Sequence, residues 1–283
     1  MSKLSFLLFI FIPITSFSQN TLLDEIDTDA GDDLSVISAF KGLKIVNFES
    51  TKMIAKKDFY FVVAHRFGSV KTGIKDFFGL DNANTRLSFI YGLSDWLNAG
   101  ISRSSVDKTY DLSIKYRFMS QQESGFPVTI VGYSQFALNT GLDEDLIPGL
   151  SSSDRLSVTQ QILISRKFSE RFSFELISTV FNEGFVDFPT QDNTQFALGF
   201  GGRYKLTKRW SFNMDYGLHL NRASGSDFNN PLSIGFDLET GGHVFQLHFT
   251  NAQQTYESGY LGNAIGDWTE GNFFFGFNLS RVF

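Results

Sequence analysis

The stretch Asn272-Phe273-Phe274-Phe275-Gly276-Phe277-Asn278-Leu279-Ser280-Arg281-Val282-Phe283 decides how the chain must fold. Side chains on a strand point alternately to its two faces. Phe273, Phe275, Phe277, Leu279 and Phe283 therefore share one face, while Phe274, Gly276, Asn278, Ser280 and Val282 share the other. One aromatic face backed by one face of mostly small and polar residues is the pattern of a barrel strand whose outside meets lipid.

Upstream, the same alternation recurs. Twelve strand segments are expected at 57–67, 84–94, 97–106, 109–119, 127–139, 154–168, 171–183, 193–207, 210–222, 230–240, 243–252 and 272–283. An even count puts both ends of the barrel on one side of the membrane, and the connections alternate between tight turns and long loops, as in outer-membrane barrels. Ser94-Asp95-Trp96, Ser169-Glu170, Lys208-Arg209 and Gly241-Gly242 are tight, whereas Gly68 to Ala83, Thr140 to Ser153, Gly184 to Asp192, Ala223 to Asn229 and Asn251 to Gly271 are long. The expected class is an all-β, transmembrane, antiparallel up-and-down barrel of about twelve strands, with short periplasmic turns and long external loops.

Alternation alone does not say which face points inward, because a soluble barrel would bury the same apolar residues. Two features decide. Trp96, Phe118, Phe168, Phe172, Tyr204, Trp210 and Phe283 stand beside the tight turns, where amphipathic rings favour the boundary of lipid and water. The polar face carries Gly100, Ser102, Gly199, Gly201, Gly217, Gly235 and Gly276, small residues suited to a confined interior. A near-zero mean hydropathy fits strands whose two faces average out.

Lys3 followed by the apolar run Leu4 to Ile14 reads as an export signal, too short to span a bilayer, with cleavage near Ser18. The expected organisation is a signal peptide at 1–18, an acidic periplasmic segment at 19–56 and the barrel at 57–283, located in the outer membrane. Within 34–56, Ile45-Val46-Asn47-Phe48 leaves two placements open: a short extra strand, or a piece tucked into the periplasmic mouth. The chain has no cysteine, which excludes disulfides and thiol chemistry, and its net charge of -6 argues against nucleic acid as a partner. Asp27 to Asp32 only brushes a calcium-loop pattern, since its glycine comes early and the closing glutamate is missing.

Phe59-Tyr60-Phe61-Val62-Val63-Ala64-His65-Arg66-Phe67-Gly68, Asp76-Phe77-Phe78-Gly79-Leu80-Asp81-Asn82-Ala83 and Tyr91-Gly92-Leu93-Ser94-Asp95-Trp96-Leu97 resemble an exported β-barrel family of Gram-negative bacteria, the domain of unknown function 5777. The resemblance implies a barrel in the outer membrane and supplies no catalytic residue. A strand ending in Phe283 also resembles the signal read by the barrel assembly machinery, which with outer-membrane lipid and a periplasmic partner completes the expected partners.

Inward positions carry the remaining chemistry. The lumen-lining candidates are Lys115, Arg117, Glu175, Arg203, Lys205, Asp215, His219, Asp237 and Glu239, joined by Arg66, Arg86 and Lys167. Arg203, Asp215, Lys115 and Asp237 are expected to form one charge cluster. Such a lumen reads either as a conduit whose charges select solutes or as a salt-bridged plug, and twelve strands lie between filled and open barrels. No catalytic, cofactor or metal site is expected: the four histidines, His65, His219, His243 and His248, fall in no triad or ligand spacing. Gly199-Phe200-Gly201-Gly202 lies within a strand rather than before a helix, which argues against nucleotide binding. The leading expectation is a narrow porin-like conduit for small polar solutes or ions. The alternatives are a structural or interaction barrel and, third, an outer-membrane lipid hydrolase.

Overall fold

The computed structural model describes residues 38–283; the expected signal at 1–18 and the acidic run at 21–33 lie outside the described residues. Twelve antiparallel strands close into a barrel: β1 (Phe59–Ser69), β2 (Ala83–Ser94), β3 (Leu97–Ser104), β4 (Thr109–Met119), β5 (Thr129–Asn139), β6 (Leu156–Lys167), β7 (Phe172–Glu183), β8 (Thr194–Lys205), β9 (Trp210–His219), β10 (Leu232–Thr240), β11 (His243–Thr250) and β12 (Phe274–Val282). Each strand pairs with its sequence neighbours, and β12 closes on β1 with Val63 opposite Leu279 and His65 opposite Phe277. Closure satisfies every strand edge, which a lipid solvent demands.

The two faces separate as the alternation requires. On β4, Tyr110, Leu112, Ile114 and Phe118 are exposed to the outside, while Asp111 and Lys115 are buried inside. The expected girdle is present at the turn end: Trp96, Phe118, Phe168, Phe172, Tyr204, Trp210 and Phe283 all project outward and are exposed. His65 also faces outward, with its ring 4.7 Å from that of Phe277. The first long connection, Val70–Gly79, stays at the rim; Val70 N–H donates to Phe273 O, and Ile74, Phe77 and Phe78 are exposed.

The interior is not hollow. Residues 38–56 enter from the turn end and fold as a hairpin inside the barrel. Ile45 N–H donates to Phe48 O across its tip, and Ser50 N–H donates to Leu43 O behind it. From the loop end, the β11–β12 connection dips inward and carries the short helix α1 (Glu257–Gly262), whose residues are all buried. Alternation in the strands carries no information about this, because the loop lies between two well-patterned segments. Hairpin and helix meet at mid-barrel, where the rings of Phe48 and Tyr260 sit 4.9 Å apart, edge to face.

Candidate functional site

The site is the lumen, built from inward side chains and the two inserted pieces. Several of the wall's polar groups hold the hairpin by its backbone. Asp215 Oδ2 accepts from the N–H groups of Val46 (2.9 Å), Asn47 (2.8 Å) and Phe48 (3.2 Å), which converge on it at the hairpin tip. Glu175 accepts from Thr51 N–H at 2.9 Å. Asn98 clasps Ile54 from both sides, accepting from its N–H at 2.9 Å and donating to its carbonyl at 3.0 Å. Gln246 donates to the Ile45 carbonyl at 2.9 Å, and Asn278 donates to that of Val46 at 3.1 Å. A segment without a neighbouring strand would leave these groups unpaired in a buried space, so the wall supplies what a ladder would.

Apolar contact completes the seat. Ile45 lies against Gly201, and Phe48 lies against Gly199 and Gly217, positions where a Cβ would collide with the hairpin. These glycines on β8 and β9 open a shallow floor for two large side chains that are 1% and 0% exposed.

Charged groups form a second fastening. Glu49 bridges Lys115 at 2.6 Å and Lys44 at 3.0 Å, and Lys44 reaches Glu257 of α1 at 2.7 Å, so hairpin, wall and loop helix share one network. Burial would raise the Glu49 carboxyl, but Lys115 and Lys44 overcome it and hold it at about 2. Arg86 and Asp111 pair separately on the wall at 2.8 Å.

All nine lumen-lining candidates lie on inward positions of the wall. Lys115, Glu175, Arg203, Asp215, His219 and Asp237 are buried, whereas Arg117, Lys205 and Glu239 are half-buried toward the turn end. Glu239 accepts from Lys41 at 3.2 Å, Asp237 accepts from Gln246 at 3.0 Å, and the His219 ring nitrogen Nε2 lies 2.7 Å from Gln195 Oε1. The expected cluster of Arg203, Asp215, Lys115 and Asp237 does not form as a unit: Arg203 and Asp237 lie within each other's field, but Asp215 and Lys115 are turned to other partners. Arg203 stands opposite Asn213 and Asp215 opposite Gly201, so the first two are only diagonal neighbours, and Asp215 and Lys115 are each engaged by the hairpin. Of the hairpin, Ile45 to Phe48 were open to two placements from sequence, a short extra strand or a piece tucked into the mouth, and they lie inside the barrel; Lys44 and Glu49, which fasten it, were missed. Among the described residues no group of three or more His, Asp or Glu side chains is arranged to hold a metal.

Among the cavities left between the described residues, one of about 50 Å³ lies between the hairpin and the wall of β1 to β4. Leu43, Lys44, Glu49 and Ile54 form its inner side, and Ala64, Ser88, Gly100, Ser102 and Ser113 form its outer side.

Residues 40–283 match a family described as a membrane bound beta barrel domain, DUF5777. The chain belongs to that family. It is a membrane-bound β-barrel. Comparison with curated proteins finds no match. Among solved structures it is similar to the NanC porin, with a TM-score of 0.50 at 9% identity, covering 79% of this chain and 98% of that one. It is also similar to the KdgM porin (TM-score 0.49, 7% identity, 79% and 99% covered). A third is the COG4313 outer membrane channel from Pseudomonas putida F1 (TM-score 0.44, 16% identity, 82% and 98% covered). At these identities the likeness concerns the fold.

Proposed function

We propose that this DUF5777 barrel resides in the outer membrane after removal of residues 1–18 and acts there as a narrow porin-like conduit for small polar solutes or ions, without covalent chemistry. The observation that carries the reading is the cavity between the inserted hairpin and the small-residue wall of β1 to β4, where Ala, Ser and Gly leave space beside charged groups. The hairpin sets the bore. Lipid contacts the apolar band, and the strand ending at Phe283 engages the assembly machinery.

Planar-bilayer recording tests this on the full chain and on a variant lacking residues 38–55, each checked for the heat-dependent gel shift of a closed barrel. The expected result is small conductance for the full chain and severalfold larger conductance for the deletion. Silence of both folded proteins would sink the conduit and promote the second reading, a structural or interaction barrel that displays its loops or docks a periplasmic partner. The fastening of hairpin to loop helix through Phe48–Tyr260 and Lys44–Glu257 favours that second reading.

A further inference from the structure

The charges facing the cavity are unequal. Lys44, Arg66, Arg86 and Lys115 line it, against Glu49 alone. Glu49 accounts for Lys115 and Lys44, so the two arginines decide what the cavity attracts. Arg86 gives Nη2 to Asp111, whose carboxylate does not line the cavity, while its Nη1 has no partner although the residue is 4% exposed. Arg66 is 1% exposed and donates only to neutral acceptors: Nη1 to the His65 carbonyl and Asn278 Oδ1, and Nη2 to Asn47 Oδ1. Its Nε has no partner. Asp215, the carboxylate whose field reaches Arg66, is engaged by the hairpin's N–H groups.

Arg66 and Arg86 are held as a pair by the sheet. Ala64 stands opposite Arg86 and Arg66 opposite Asn84, so the two arginines are diagonal neighbours on β1 and β2, both inward. The buried hydroxyl of Thr255, from the inserted loop, lines the same cavity and also lacks a partner.

We propose that this cavity is an anion subsite that takes a carboxylate-sized oxyanion between Arg66 and Arg86. The passage of anionic solutes in preference to cations follows from it, and that part rests on the conduit reading. A buried guanidinium without a carboxylate is costly unless a counter-charge is supplied, and guanidinium donors match the two oxygens of a carboxylate. A space of about 50 Å³ holds a few water-sized groups, which suits a carboxylate head and excludes a sugar-sized ring.

The probe is acetate, followed by line broadening of its carbon-labelled signal with the detergent-purified full chain, beside reversal potentials in a potassium chloride gradient. Arg66→Gln removes one donor set, and Arg66→Lys keeps the charge without Nε. The double variant Arg86→Gln with Asp111→Asn removes a pair together, so that no charge is stranded. Each is first checked for the heat-dependent shift. The expected result is acetate broadening that falls at least about fivefold in Arg66→Gln and in the double variant, partial retention in Arg66→Lys, and a reversal potential of anion-selective sign that moves toward zero in the same order. Acetate binding that none of the variants changes, or cation selectivity in the unaltered protein, overturns the subsite. A silent bilayer with acetate binding lost in the variants keeps the subsite and removes the conduit. Conductance without selectivity and without acetate binding does the reverse.

Discussion

Asp215 was legible as an inward residue from the alternation of β9, but its partner was not. A carboxylate can be satisfied by a cation or by a fan of backbone N–H groups, and sequence spacing does not distinguish them. Because three hairpin amides converge on one oxygen, Asp215→Ala leaves three buried donors unpaired. The expected cost to hairpin docking is about 2 kcal/mol or more, which corresponds to roughly 30-fold faster hydrogen exchange at Val46, Asn47 and Phe48. Protection unchanged at those amides would mean that Asp215 does not seat the hairpin. Glu49 supplies a pH dependence. Its carboxyl lies at about 2 in the folded protein against an ordinary 4.5, so its contribution is present above about 4.5 and is lost as pH falls toward 2. Burial pushes the Glu257 carboxyl up against the pull of Lys44, so its opposite slope lies above pH 4.5 and leaves the Glu49 window below 4.5 untouched. Exchange at the hairpin amides, corrected for intrinsic rate, is expected to accelerate between pH 4.5 and 2 in the full chain and to flatten in Glu49→Gln.

At the scale of elements, the strands were readable, whereas of the inserted pieces only the apolar run at 45–48 gave a hint and it left two placements open. A strand face carries a period of two over many residues, and each of the twelve expected segments overlaps an observed strand. The hairpin at 38–56 and α1 have no such period. Their side chains answer to a cavity assembled from distant parts of the chain, so nothing local marks Tyr260 as the partner of Phe48. The glycines of β8 were visible as small inward residues, yet their meaning depends on Ile45 and Phe48 lying over them. A Cβ at Gly201 would collide with the Ile45 side chain, whereas one at the outward Gly202 would come no closer than 4.0 Å to another atom. Gly201→Val is therefore expected to expel the hairpin tip, making residues 38–56 accessible to protease added from the turn side, while Gly202→Ala leaves them resistant. Equal resistance of both variants would show that the tip does not need this floor.

For the whole molecule, the orientation in lipid follows from the rings at its ends. The three tryptophans sit near barrel ends: Trp96 and Trp210 in the turn-end girdle, and Trp268 stacked on Phe273 at 4.6 Å near the loop end. Lipids brominated near the headgroup should quench their fluorescence strongly, and lipids brominated at the chain terminus weakly. The opposite order would place the apolar band elsewhere. Closure of the barrel also has a temporal side. Phe59 and Phe283 exchange backbone hydrogen bonds where β1 meets β12, the hairpin lies immediately before β1, and α1 belongs to the β11–β12 connection. The seam therefore cannot zip until the piece that precedes β1 has either been enclosed or been left outside. An assembling chain thus has one moment at which its interior is decided, and a barrel that zips too early would be sealed, empty and kinetically trapped.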